Sequence, residues 1–323
     1  LQAMLDRWVS DGVETAAIEV SSHALAQHRV DGTHFALVGF TNLSRDHLDF
    51  HTSMSDYEEA KARLFDGSFS KRAVVMVDTP AGRRMAARAR EAGMDVTEVE
   101  VATAGGVIRP DGVGLEWRRH SVEVSTPGRF TIANALLAAE MAAALGVGEI
   151  DVVDGLASAP SVPGRFEPVP LEGGPMVVVD YAHTPDALSA ALATARELAE
   201  GRLLVVFGCG GGRDRGKRPE MGRIALAGAD FVVVTSDNPR GEPPEGVIAD
   251  ILSGMDSAPL LVEPDRRSAI AGALRIAGPD DLVLIAGKGH EDTQELAGRL
   301  EPFDDRMVAR QEWARMSPDG DIG

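Results

Sequence analysis

The feature that most narrows the possible folds is a rhythm in the second half of the chain. Residues 176–180, 203–207, 231–235, 260–262 and 282–286 are short runs made almost wholly of apolar side chains. Between them lie helical stretches that begin after Pro185, Pro219, Pro244 and Arg266. A strand that is apolar at every position is covered on both faces, and alternation with helices joins such strands in parallel. The expectation for this half is a Rossmann-like α/β domain whose ligands bind at the carboxyl ends of the strands. Its unusual polar clusters follow strands: Gly211-Gly212-Arg213-Asp214-Arg215-Gly216-Lys217, Asp237-Asn238-Pro239-Arg240 and Gly287-Lys288-Gly289-His290-Glu291.

The first half is also expected to be α/β, with a mostly parallel sheet. Residues 16–20 and 36–40 read as strands that end in polar loops, and 73–77 and 96–101 read as strands around an Arg- and Ala-rich helix. Ser55 can cap a helix over 56–66, with Gly67 as its stop. Residues 107–125 look like a hairpin region, and 132–145 form an Ala-rich helix closed by Gly146. The segment Ser161-Val162-Pro163-Gly164-Arg165 carries turn residues and predicts a boundary, giving domains 1–161 and 162–323. Residues 1–8 read as the middle of a helix, so the sequence is expected to begin inside a longer protein.

Composition bounds the function. The 323 residues are ample for two domains, and the net charge of −18 argues against a nucleic-acid partner, which clustered Lys and Arg would attract. A small anionic ligand remains compatible, because local arginines can build a positive pocket on an acidic protein. The single cysteine, Cys209, excludes an internal disulfide and fits a reducing, cytoplasmic setting. No apolar run approaches the roughly 18 residues of a membrane span, and no signal-peptide pattern is present. The oligomeric state stays open.

On the helix after residue 56, Tyr57, Ala60, Leu64 and Phe65 fall on one stripe, and Lys61 shares it. A lysine in this place either snorkels to water or lies desolvated. Desolvation favours the neutral amine, which can take up carbon dioxide. The resulting carbamate offers oxygen to a hard cation such as Mg²⁺, and Glu19 and His47, each near a strand end, could complete such a site.

The stretches Glu19-Val20-Ser21-Ser22-His23-Ala24-Leu25, Gln27-His28-Arg29-Val30 and Phe40-Thr41-Asn42-Leu43-Ser44-Arg45-Asp46-His47-Leu48-Asp49 resemble the Mur ligase family, and within it the branch that adds diaminopimelate. The similarity runs over nearly the whole chain and is weakest over 81–117. It implies an ATP-dependent ligase acting in peptidoglycan synthesis, with a central ATPase domain followed by an amino-acid-binding domain. It further implies that Lys61 is carbamylated and catalytic together with His47, and that Glu19, His47 and Lys61 hold Mg²⁺. Ser21, Gln27 and Arg29 would contact UDP-N-acetylmuramoyl-L-alanyl-D-glutamate.

The Gly211–Lys217 run fits most of a phosphate-loop pattern. Arg218 then stands where Ser or Thr is needed to hold Mg²⁺, so the run is rejected as the ATP cradle. No other segment satisfies the pattern, and the family carries that loop ahead of the part seen here. Little activity is therefore expected of this chain alone.

Asp237-Asn238-Pro239-Arg240 can be a surface turn with solvated charges. It can equally be a rigid turn that holds a guanidinium fork toward a carboxylate, with Asp237 and Glu291 as ammonium partners. The resemblance favours the second reading: it implies that Asp237, Asn238, Pro239, Arg240, Arg213, Gly287 and Glu291 recognise meso-diaminopimelate. It also assigns Asn134, Arg165 and Asp180 to ATP. Thr131, Gly212 and Thr293 depart from residues common in the family, and Thr131 bears on the Asn134 assignment. The implied chemistry is activation of a carboxylate as an acyl phosphate, followed by amine attack to give an amide. The alternatives are a lysine-adding or folylpolyglutamate-type ligase, or an inactive ligand-binding fragment.

Overall fold

A computed structural model of the chain describes residues 1–48 and 50–316, so Asp49 of the histidine-bearing motif lies outside the described residues. The chain divides into two compact units. One is Leu1–Thr103 with Ala133–Val152, and the other is Ala104–Ile132 with the chain from Val153 onward.

The first unit holds three parallel strands, β1 (Val38–Phe40), β2 (Arg72–Met76) and β3 (Asp95–Val99), side by side in that order. Its helices are α1 (Gln2–Ser10), α2 (Ser22–Ala26), α3 (Met54–Ala62), α4 (Pro80–Glu91) and most of α5 (Arg129–Ala144). Phe40, Phe65, Val75, Met85 and Ala86 lie in its core.

Two local expectations are corrected here. Residues 16–20 form no strand, and Ala16, Ala17 and Glu19 are exposed. An apolar run becomes a strand only where a neighbour takes up its N–H and C=O groups, and among the described residues none does. Helix α3 starts earlier than expected because Ser53, not Ser55, accepts the Asp56 N–H at 3.1 Å. The expected stop does hold: after a 3-10 turn over Arg63–Phe65, Gly67 takes the left-handed conformation with φ 82°.

The second unit opens with a three-stranded antiparallel sheet, β4 (Val107–Arg109), β5 (Gly112–Trp117) and β6 (His120–Val124), where a hairpin region was expected. After α6 (Glu149–Ala157) comes the main sheet. It contains β7 (Glu167–Val169), β8 (Met176–Asp180), β9 (Leu203–Phe207), β10 (Phe231–Val234), β11 (Leu261–Val262) and β12 (Leu282–Ala286). Their order across the sheet is β11-β10-β9-β12-β8-β7, and every pair is parallel except β7 with β8.

The apolar strands divide their side chains between two cores. Val178, Val205, Phe207, Val234 and Leu284 face α7 (Pro185–Leu198), α8 (Lys217–Gly228) and α9 (Pro244–Leu252). Val179, Leu204, Val206, Val233 and Ile285 face α10 (Arg266–Ile276) and α11 (Asp305–Met316). Full burial of each such side chain contributes about 1.5–3 kcal/mol, which is why strands without a polar face are stable here. The chain runs outward from β9 through β10 to β11, then returns to insert β12 between β9 and β8. The loops after these strands therefore gather at one edge, at a change of winding direction. A hairpin of β13 (Thr293–Leu296) and β14 (Arg299–Pro302) follows β12. Among the described residues no helix is long and apolar enough to cross a membrane.

Candidate functional site

In the second unit, β10 runs into Thr235-Ser236-Asp237-Asn238-Pro239-Arg240, of which all but the arginine are buried. Lys288, just after β12, has no exposed surface. Its amine donates to Asn238 Oδ1 at 3.2 Å, to Glu291 Oε2 at 3.0 Å and to the Thr293 carbonyl at 2.7 Å, so all three of its protons are used. Asn238 Nδ2 donates to the same Glu291 oxygen at 2.7 Å, and Asn238 Oδ1 also accepts the Glu295 N–H at 2.9 Å. Burial works to raise the Glu291 carboxyl, but the bonds from Lys288 and Asn238, with the charges of Lys288 and Arg240, hold it below the usual carboxylate range. Glu291 is thus an ionised, half-exposed carboxylate with one oxygen held from behind.

Arg240 has φ 54° and is the second residue of a turn closed by the Glu242 N–H on the Pro239 carbonyl at 2.9 Å. Its Nη1 donates to the Gly211 carbonyl at 2.8 Å, and its Nε lies 3.5 Å from Glu295 Oε2. Gly211 must be glycine for this approach, since a Cβ there would come within 1.9 Å of the Pro239 oxygen. A Cβ on Gly210 would lie 2.8 Å from Arg240 Nη1 and 3.9 Å from Arg213 Cγ, so the two arginines flank one glycine.

Asp237 lies deeper. Its carboxyl is raised by burial, against the opposing charges of Arg266 and Lys288. Gly287 has φ 118°, and its missing side chain makes room for Asp237 Oδ2, which a Cβ would meet at 2.5 Å. Behind Asp237, fully buried Arg266 pairs with Asp305 through Nε at 2.8 Å and Nη2 at 2.7 Å. It also donates to the carbonyls of Ser236 and Ala286, which ties the ends of β10 and β12 together.

The seven residues expected to meet an amino acid thus gather at one edge of the sheet, in two layers. Arg213, Arg240 and Glu291 carry accessible surface, whereas Asp237, Asn238 and Pro239 are buried behind them. Sequence reasoning did not single out Lys288, Glu242, Glu295 or Arg266 as parts of this site. Lys288 lay in plain view inside a motif, but no periodicity marks a buried cation.

Other residues of this unit noted in the sequence make contacts of their own. Lys217 aims its amine at the His183 carbonyl, 2.8 Å away, and Arg218 has no exposed surface. Asp180 accepts the Phe166 N–H at 2.7 Å and the Ala182 N–H at 2.8 Å, while burial raises its carboxyl. Arg165 is exposed, with its guanidinium 4.8 Å from the Tyr181 ring centre. Cys209 is buried and its thiol is pushed up to about 12 by burial, which disfavours the thiolate.

In the first unit, Lys61 lies on α3 with its amine 3.4 Å from the Asn42 carbonyl and 5.2 Å from the Tyr57 ring centre. Burial lowers its pKa, and the nearby charges of Glu19 and Asp46 oppose that. His47 has φ 56°, and its ring packs edge-on against His23 at 4.7 Å and against Tyr57 at 5.8 Å. His51, four residues on, is buried with its Nε2 2.9 Å from Ser22 Oγ. Among the described residues no three His, Cys, Asp or Glu side chains come together as a metal-ligand set. With Lys61 as a cation, the residues do not fit Mg²⁺; the donor set suits it only if that amine becomes an anion. Ser21 caps α2 by accepting the Ala24 N–H at 3.2 Å. Gln27 and Arg29 lie exposed just beyond that helix, and Asn134 is exposed on α5.

Comparison with known proteins sets these sites in a family. Residues 1–142 match the Mur ligase middle domain and residues 164–289 the Mur ligase glutamate ligase domain. The chain is 45% identical over 320 residues to a UDP-N-acetylmuramoyl-L-alanyl-D-glutamate--2,6-diaminopimelate ligase of Xylella fastidiosa, covering 95% of this chain and 65% of that protein. It is 46% identical over 338 residues to the protein of the same name from Parasynechococcus marenigrum, covering 96% and 66%. A solved structure of a ligase of that name aligns with TM-score 0.63 at 36% identity, over 98% of this chain and 67% of that one. The chain thus spans about 65% of the length of the curated relatives it matches. Matches to both domains, together with this level of identity, show that the chain belongs to the Mur ligase family.

Proposed function

We propose that this chain carries the amino-acid-binding part, and some of the nucleotide-handling part, of an ATP-dependent ligase. That enzyme joins meso-diaminopimelate to UDP-N-acetylmuramoyl-L-alanyl-D-glutamate. The observation that carries the reading is that Arg240, whose charge acts on the ionised Glu291, stands beside Arg213 across Gly210 at one sheet edge. A ligand with a carboxylate and an ammonium on its distal end matches that pattern of charge. Arg240 takes the carboxylate as a fork and Glu291 takes the ammonium, with Asp237, Asn238, Pro239 and Gly287 as the frame. Lysine lacks the distal carboxylate and leaves the guanidinium with only the Gly211 carbonyl and Glu295 as partners.

Enzymes of the Mur ligase family use ATP. Here Asn134, Arg165 and Asp180 are the residues assigned to it, and Ser21, Gln27 and Arg29 are assigned to the UDP-linked substrate. Residues 1–161 are read as part of the ATPase domain and 162–323 as the amino-acid domain. Glu19, His47 and a carbamylated Lys61 would hold Mg²⁺, which supplies charge neutralisation at phosphate when bound. The chain's own residues act by positioning: they hold the attacking amine in line with an activated carboxylate and exclude competing geometry.

Titration calorimetry on the chain tests the reading. Meso-diaminopimelate should bind at least about 100-fold more tightly than L-lysine, the scale of a lost charge-assisted hydrogen bond, and Arg240→Ala should erase the difference. Equal binding of both amino acids would refute it.

A further inference from the structure

The proposed pocket depends on two loops from different strands keeping a fixed spacing. Arg213 comes from the loop after β9, and Arg240 comes from the turn after β10. One residue outside the recognition motif spans both.

Glu242 ends the turn that presents Arg240, through its own N–H on the Pro239 carbonyl. Its side chain reaches back under the β9 loop. Oε1 accepts the Gly212 N–H at 2.7 Å, and Oε2 accepts Arg215 Nη2 at 2.7 Å. Both oxygens are gripped by the fully buried guanidinium of Arg218, at 2.9 and 3.0 Å. Arg218 is itself fixed by Asp250 at 2.9 Å and by the Gly210 carbonyl at 3.2 Å.

We propose that Glu242 is a positioning residue of the amino-acid pocket: it locks the glycine-rich loop to the Arg240 turn and so sets the spacing of Arg213 and Arg240 for a ligand's distal carboxylate. This rests on the reading of the pocket given above. Glycines have no side chains with which to hold a loop, and Gly210, Gly211 and Gly212 are consecutive. The carboxylate supplies what they lack. The bonds from Arg218, Gly212 and Arg215 hold the Glu242 carboxyl far below the usual carboxylate range. Arg240 sits in a left-handed conformation that ordinary residues adopt only under constraint, and the turn closure by Glu242 is one such constraint.

The experiment compares the wild-type chain, Arg240→Ala, Glu242→Gln and Glu242→Asp by calorimetric titration with meso-diaminopimelate and, separately, L-lysine, alongside thermal unfolding. Glutamine keeps the shape, but its amide protons face the Arg218 guanidinium and either Arg215 or the Gly212 N–H, donor against donor. Glu242→Gln should weaken meso-diaminopimelate about tenfold or more, as loss of an orienting partner does for a ligating group, while leaving the weak binding of lysine unchanged. Glu242→Asp, which keeps the charge but shortens the reach, should fall between. A merely structural role would weaken both ligands alike, and that result overturns the proposal. If Arg240→Ala loses meso-diaminopimelate while Glu242→Gln binds it as the wild type does, the proposal fails and the pocket reading stands. If Arg240→Ala changes nothing, both fail. Should Glu242→Gln not fold, the aspartate variant decides: weakened meso-diaminopimelate with lysine unchanged supports the proposal, and wild-type affinity overturns it.

Discussion

Replacing Gly287 by alanine should destabilise the second unit, for two separable reasons. With φ 118°, the backbone lies where side-chain-bearing residues rarely go, a strain of about 1–3 kcal/mol. The added Cβ would also meet Asp237 Oδ2 at 2.5 Å, so that oxygen must retreat by about 0.9 Å to reach the 3.4 Å of ordinary contact. Asp237 is buried among the charges of Arg266 and Lys288, which limits how far it can move. Overpacking of this kind costs a further 1–3 kcal/mol or so. The sum is about 2–6 kcal/mol. Gly241→Ala is the control, because nothing lies within 4 Å of its Cβ and its φ is ordinary. That variant should stay within about 0.5 kcal/mol of wild type. Urea unfolding followed by circular dichroism, with hydrogen exchange read at the β12 amides, gives both numbers. If Gly287→Ala proves as stable as Gly241→Ala, the argument that this glycine exists to admit Asp237 is wrong.

Two further outcomes follow from the charges. Burial lowers the Lys61 pKa, so more neutral amine is present at a given pH, and ¹³C-bicarbonate should give a carbamate resonance that Lys61→Arg lacks; identical spectra would remove the Mg²⁺ reading. Asp281 has its carboxyl lowered from 3.8 to about 2, chiefly by hydrogen bonds from Arg202. Because its folded pKa lies below the unfolded one, its contribution is complete above about pH 4 and lost as the pH falls toward 2. That contribution is about 1–2 kcal/mol after allowing for the half-exposed Arg202. Asp281→Asn should therefore cost that much at neutral pH, with the gap closing in acid, and a gap independent of pH would contradict the assignment.

Much of this protein was readable before any coordinates. Strands β8, β9 and β12 fall at the expected residues because a strand buried on both faces must be apolar throughout, and few other elements are so short and so uniform. Arg240 and Glu291 were singled out because each follows such a strand, where an open sheet gathers its ligands, and because the family resemblance favoured a site over a solvated turn. Sequence also placed Tyr57, Ala60, Leu64 and Phe65 on a buried stripe, since helical spacing alone decides that. Tertiary structure decided the rest. Residues 16–20 have strand composition but no strand, because pairing depends on a neighbour that composition does not report. Asp237 and Asn238 look like exposed turn residues in the motif, yet they are buried, because Lys288, Gln294 and Glu295 arrive from another part of the chain to bond them. Glu242 and Arg266 carry no periodic or motif signal at all. A buried charge is tolerated only where distant partners satisfy it, and which partners meet is fixed by strand order, a property of the folded sheet and not of the local sequence.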